Sequence, residues 1–199
     1  MTTIIGFLGG PCIGKTTTGL GLSYYLKTMG RDVIYVPERA KELFYDGHDL
    51  LPKQREIFDE QLQRESRYHG KVEYVVTDSP IVLNAIYCSL AYEQFLISEG
   101  VLNYITSSIK NELNYRVSNN IIQKYYTFRR NKEYNPLGRE QTEKEAIDID
   151  SSINLLFEGK IKHFEFVKDY NHLLEHLDVS DQGRIPHLFS SLFSNNIKT

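Results

Sequence analysis

A chain of 199 residues suits one sizeable α/β domain and is short for two. With 41% apolar and 25% charged residues and a net charge of −3, it has a globular make-up and no global positive field that would favour nucleic acid or membranes. Two cysteines, Cys12 and Cys88, are too few for a disulfide framework, and the opening MTTIIGFLGG has neither a basic leader nor an apolar run of spanning length, which predicts a cytoplasmic setting without membrane contact.

TIIGFL (3–8) is a β-rich run that ends at glycines. Leu22, Leu26 and Met29 then keep helical spacing, with Gly30 as the stop. DVIYVP (32–37) is a second buried-strand candidate. Residues 40–69 read as two helical pieces broken near DGHDLLP, and the second, KQREIFDEQLQRESRYHG, is so poor in apolar residues that a largely solvated helix is expected. VEYVV (72–76) is the third strand. In the TDSP that follows, Ser79 suits an N-cap and Pro80 the first position of an apolar helix reaching about Ser98.

A further helix is expected from about Val101 to Leu113, and NIIQKYYTF (120–128) is the fourth strand. The polar RRNKEYNPLGREQ has no apolar period and reads as a mobile lid over about 129–142. Thr142 and Glu145 make a capping box for a helix that places Ala146, Ile149, Ile153 and Leu156 on one face and stops at Gly159. HFEFV (163–167) is the fifth strand, YNHLLEHL a last short helix, and 184–199 a tail that either docks through Leu188, Phe189 and Phe193 or frays. Strands alternating with helices predict one α/β domain over 1–199, a parallel sheet with helices on both faces.

Chemistry is most legible at GGPCIGKTTT. Gly9, Gly14, Lys15 and Thr16 satisfy G-x-x-x-x-G-K-[ST] in full, between a strand and a helix. Backbone N–H groups of Gly9, Gly10, Pro11, Cys12, Ile13 and Gly14 (Pro11 excepted, having none) can turn toward phosphate oxygens, with those of Lys15, Thr16 and Thr17 at the helix start. Lys15 can reach the β- and γ-phosphates and the Thr16 hydroxyl can ligate Mg²⁺. The stretch therefore predicts a P-loop NTPase fold. No N/T-K-x-D motif reads a guanine, and the strand VEYVVTDSP ends in a lone Asp78 where a motor ATPase would carry paired acids. A single acid there and an arginine-rich lid are features of small kinases.

GGPCIGKTTT, VPERAKEL, VVTDSP and RRNKEYNPLGREQTEKEA together resemble a family of small P-loop kinases over roughly residues 3–180. That family includes nicotinamide-riboside-kinase-like ATPases and bacteriophage nucleotide-kinase-like proteins, and among the latter the likeness is to phage 5-hydroxymethyluracil DNA kinases. The resemblance implies a five-stranded sheet in the order 2-3-1-4-5, ATP and Mg²⁺ as cofactors, host cytoplasm as the location, and a nucleotide-like acceptor that includes modified DNA. A free nucleoside, a nucleoside monophosphate or nicotinamide riboside is the alternative acceptor, and an NTP-binding regulatory module the alternative of another class.

Asp78, at a strand end beside the P-loop, can hold Mg²⁺ through water or act as general base; otherwise it merely precedes a helix start. By the resemblance to deoxynucleoside kinases, Glu38 polarises the acceptor hydroxyl and Arg39 contacts a substrate phosphate; a surface ion pair in a β–α turn is the plainer alternative. Glu38 and Asp78 stay unranked as the base. In the lid, Arg139 is the candidate for transition-state charge, and Arg129, Arg130 and Lys132 for substrate phosphates; a solvated basic loop is the competing reading. Tyr125, Tyr126, Phe128 and Tyr134 could stack a base, though the first three suit a core. HLLEH (172–176) matches an inverted zinc-protease pattern, but the short helix and missing third ligand favour ordinary histidines at 172 and 176.

Overall fold

A computed structural model describes residues 1–128, 130, 133–137 and 141–157, and the backbone of 164–167. Strand β1 (Thr3–Leu8) is buried almost throughout and forms the middle of the sheet, paired in parallel with β3 (Tyr74–Thr77) on one side and β4 (Ile122–Phe128) on the other. β2 (Val33–Val36) lies outside β3, giving β2-β3-β1-β4, and the backbone of β5 (Phe164–Val167) pairs with β4 at the far edge. Such continuous apolar runs are what a sheet covered on both faces requires.

Helix α1 (Lys15–Thr28) covers one face. Its Leu22, Tyr25 and Leu26 pack with Ile5, Phe7 and Val76 of the sheet. On the opposite face lie α3 (Gln54–Ser66), α4 (Asn84–Glu93), α5 (Glu99–Ser118) and α6 (Glu143–Phe157), whose Phe58, Ile86, Ile105 and Ile153 join Leu8 and Tyr125 in a second core. The short α2 (Arg39–Tyr45) and a 3-10 turn at Leu51–Lys53 bridge β2 to α3. The capping box forms as expected: the Thr142 amide donates to Glu145 Oε2 (2.7 Å) and the Glu145 amide to Thr142 Oγ1 (3.3 Å). Leu156, expected on the same face of α6 as Ala146, Ile149 and Ile153, is instead exposed, at 40%.

Three further expectations are corrected. Ser79 does not cap a helix: Pro80 leads into a 3-10 turn at Ile81–Leu83, and α4 starts only at Asn84 and ends at Glu93, where the chain reverses through Phe95 in the left-handed region (φ 58). α5 is longer than expected, running to Ser118, with Ser98 accepting from the Val101 amide at its start. Most consequentially, α3 is not a solvated helix. It buries Gln54, Gln61 and Glu65 beside Ile57 and Phe58, because its neighbours supply matching polar partners. The hydrophobic period is blind to a buried face built from amides and a carboxylate.

Candidate active site

The P-loop leaves β1 through Gly9 and enters α1 at Gly14, whose φ of 102° lies in the left-handed region that glycine tolerates. Gly10 is fixed by close approach: a Cβ there would stand 2.5 Å from the carbonyl oxygen of Ala146. Lys15 is buried, and its Nζ donates to the carbonyls of Gly9 (2.6 Å) and Gly10 (2.9 Å), folded back over the loop it serves. The Thr16 hydroxyl donates to Asp78 Oδ2 at 2.5 Å. The two residues expected to hold Mg²⁺ are therefore in direct contact, although 62 positions apart in sequence.

Asp78 is almost wholly buried, and its Oδ1 has no hydrogen-bond partner. A buried carboxylate oxygen left over beside a hydroxyl is a suitable donor set for a hard cation or its water, so these residues fit Mg²⁺. The buried Tyr35 hydroxyl interacts with the same two residues, Asp78 and Thr16. Burial, then the charge of Asp78, and further the charge of Glu38, push the Tyr35 phenol far above its ordinary range, so it remains a neutral donor-in-waiting.

Helix α3 sets the positions of both candidate carboxylates. Gln61 Oε1 accepts from the Arg39 amide (3.1 Å), next to Glu38, while Gln61 Nε2 faces Thr77 Oγ1 (3.4 Å), next to Asp78. One turn on, Glu65 Oε1 accepts from the Ile81 amide (2.9 Å) on the other side of the Asp78 turn. Glu65 Oε2 pairs with Arg116 of α5 (3.1 Å), both side chains being fully buried, and Arg116 also binds Glu112 (2.8 Å). Burial pushes the Glu65 carboxyl up while Arg116 pulls it down; the carboxylates of Glu65 and Glu112 help hold Arg116 charged.

Glu38 and the P-loop line one cavity of about 310 Å³, walled further by Leu50, Gln54, Leu83, Asn84 and Tyr87. Arg39 does not face it as a free phosphate ligand: its guanidinium pairs with Glu42 (2.9 Å) and Glu60 (2.5 Å). Arg130 is likewise engaged. It pairs with Asp150 of α6 (2.8 Å) and donates to the Pro11 carbonyl (2.8 Å), while Asp150 Oδ1 accepts from the Gly10 amide (2.6 Å). These two expected substrate contacts thus serve as internal braces, Arg130 on the P-loop itself. Arg129, Lys132 and Arg139, the HLLEH stretch and the tail fall outside the described residues. Tyr125 and Tyr126 are core residues, Phe128 packs against the core, and the Tyr134 hydroxyl donates to the Gln141 carbonyl.

Sequence reading missed Asp150, Gln61, Glu65 and Arg116. Asp150 alone left a signal, lying one helical turn beyond buried Ala146 on the face that α6 turns inward.

A family model described as AAA domain matches residues 4–167, most of the chain. The chain belongs to that family. No curated protein matches the sequence. Among solved structures, deoxyadenosine kinase from M. mycoides, with products dCMP and a flexible dCDP bound, is similar at a TM-score of 0.54 and 14% identity, covering 87% of this chain and 95% of that one. NadR protein in complex with NR is similar at 0.57 and 11% identity, covering 88% of this chain and 50% of that one. NadR with NAD and AMP-PNP is similar at 0.57 and 11%, covering 92% and 51%. The chain thus spans about half of NadR. At these identities the likeness establishes a shared fold with these proteins and no more.

Proposed function

We propose that this chain is an ATP-dependent kinase that transfers the γ-phosphate to a hydroxyl of a nucleoside-sized acceptor. The observation that carries the reading is a single cavity in which the P-loop, Thr16 and Glu38 share one wall system, with Asp78 bonded to Thr16 behind it. A switch or regulatory module needs the phosphate site alone; an adjoining half-apolar cavity with a carboxylate at the phosphate end is what an acceptor needs.

The geometry supports a different role for each of the two carboxylates. Asp78 is engaged with Thr16 and would share with it the holding of Mg²⁺, which when bound offsets charge on the β- and γ-phosphates. Glu38 lines the acceptor cavity and is the general base: its carboxylate takes the proton of the acceptor hydroxyl as that oxygen attacks the γ-phosphorus. Lys15 leaves the Gly9 and Gly10 carbonyls for the phosphates, and Arg139 remains the proposed lid donor.

The finer acceptor implied by the lid resemblance, the hydroxymethyl group of 5-hydroxymethyluracil in DNA, is the second reading. A flipped base would enter the same cavity, but Arg39 and Arg130 are held by Glu42, Glu60 and Asp150, which leaves fewer cations for a DNA backbone. The test is transfer of labelled γ-phosphate to free nucleosides, nucleoside monophosphates, nicotinamide riboside and hydroxymethylated DNA, with wild type and Glu38→Gln. Glu38→Gln should lower kcat by about 100-fold, within the range of general-base contributions, at near-normal KM for ATP. Unchanged kcat would remove Glu38 as the base, and no transfer to any acceptor would remove the kinase reading.

A further inference from the structure

The first residues of the P-loop are held from outside the loop. Cys12 sits in the left-handed region at φ 66, a conformation that a non-glycine residue keeps only where its surroundings impose it. Part of the hold comes from α6 and from Arg130, just past β4. Asp150 Oδ1 accepts from the Gly10 amide at 2.6 Å, and Asp150 Oδ2 accepts from Arg130 Nε at 2.8 Å. Arg130 Nη1 in turn donates to the Pro11 carbonyl at 2.8 Å. From the other direction, Lys15 Nζ donates to the carbonyls of Gly9 and Gly10. The backbone from Gly9 to Pro11 is thus gripped by two sets of side chains, and α6 is seated so closely that a Cβ on Gly10 would meet the Ala146 carbonyl oxygen at 2.5 Å.

Charge makes this grip more than a brace. The side chains of Arg130 and Asp150 are only 12% and 17% exposed, so salt and water screen them weakly. A bare carboxylate bonded to a P-loop amide would repel a triphosphate entering that loop. Arg130 cancels its charge in place. The pair therefore supplies an acceptor strong enough to orient the Gly10 amide, without a net negative charge beside the phosphate site. We propose that Asp150, neutralised by Arg130, is a positioning residue for the triphosphate. It fixes the Gly9–Pro11 backbone, and with it the carbonyls on which Lys15 rests, in the shape that receives phosphate. Arg130 acts on the phosphates through Asp150 and not by touching them. The inference deepens the kinase reading and rests on it for the identity of the ligand, while its effect falls on nucleotide binding, which is measured without an acceptor.

The experiment is calorimetric binding of AMP-PNP, with Mg²⁺, to the full chain and its variants, beside the denaturation midpoint and γ-phosphate transfer of each. Asp150→Ala, which releases the Gly10 amide, should weaken binding by about tenfold or more, the value of one charge-assisted hydrogen bond. Asp150→Asn keeps an acceptor oxygen for that amide and should stay within about threefold of wild type. Arg130→Leu should cost about tenfold as well, because it leaves the carboxylate bare. Adding Asp150→Asn to Arg130→Leu should then recover about fivefold, since the repelling charge is gone. A plain structural brace, or an arginine that touches phosphate directly, would show no such recovery. The two Arg130 variants carry the test should Asp150→Ala not fold. Wild-type affinity in Asp150→Ala, or a double variant that binds no better than Arg130→Leu, overturns the proposal. Binding that follows the expected order with no transfer to any acceptor upholds it and removes the kinase reading instead. A wild-type chain that does not bind AMP-PNP overturns both.

Discussion

The phosphate end and the acceptor wall of this molecule are built in opposite ways. At the proposed phosphate end, the candidate residues run consecutively from Gly9 to Thr17, because backbone amides and one lysine are what holding a triphosphate asks for. The wall is gathered from the start of α2, the 3-10 turn at Leu51–Lys53, α3, the turn after β3, and α4, and a polar stripe on α3 braces the residues next to both candidate carboxylates through Gln61 and Glu65. A local device can lose its function and keep its fold. A gathered one should lose both together, and that difference is open to test.

The largest expected effect falls on stability. Arg116→Leu leaves the buried Glu65 carboxyl without its ion-pair partner and with no exposure to water, a change that costs about 3–5 kcal/mol. The double variant Glu65→Leu with Arg116→Leu should recover much of the loss, since a buried pair replaced as a unit is often neutral. Chemical denaturation of the two variants measures this; an Arg116→Leu protein as stable as wild type would mean that the hub does not hold the wall.

At the phosphate end, Lys15→Ala should behave in reverse. Phosphoryl transfer should fall by at least ~100-fold, about 2.7 kcal/mol of transition-state stabilisation, while the denaturation midpoint stays near that of wild type. Between these extremes lies Gln61→Leu. Gln61 touches no cavity wall but joins the Arg39 amide to Thr77, so it positions Glu38 and Asp78 without reaching substrate. Its loss should lower kcat about tenfold with little change in KM for ATP, and a fall in stability alone, with kcat intact, would make it only structural.

The same contrast explains what could be read from sequence. The strands, α1, the capping box of α6 and the P-loop each follow from residues adjacent or one turn apart, and all were legible. The pairing of Thr16 with Asp78 was legible too, because the motif places one and the strand end the other. The role of α3 was not. QREIFDEQLQRES has the composition of a solvated helix, and only the arrival of Arg116 from α5 and Ile81 from the β3 turn makes Glu65 a buried residue. Arg39, for which an ion pair was the plainer alternative, pairs with Glu42 three positions on as well as with Glu60, whereas Arg130 was legible as a cation near the site but not as a brace, since Asp150 lies 20 positions away.

The smallest effect sharpens the comparison within α3 itself, between its inner hub and its outer edge. On the outer edge, Arg64 binds Glu42 of α2 through two contacts of 2.8 and 2.6 Å, and Glu42 is nearly half exposed, at 44%. The Arg64 hydrogen bond, with help from Arg39, lowers the Glu42 carboxyl to about 2. A folded-state pKa below the unfolded one means that the pair stabilises fully above the ordinary carboxylate range and that this contribution fades as pH falls through about 2. Exposure and screening keep it small, under about 1 kcal/mol at moderate salt. Glu42→Gln should therefore lower stability slightly at pH 7, and the gap to wild type should close as the pH drops from about 4.5 toward 2. High salt, about 1 M, should close most of it at pH 7 as well, whereas the deficit of Arg116→Leu, with no solvent at its site, should persist. A Glu42→Gln deficit that survives both acid and salt would show that this edge behaves like the buried hub, and the division of α3 into an inner and an outer side would fail.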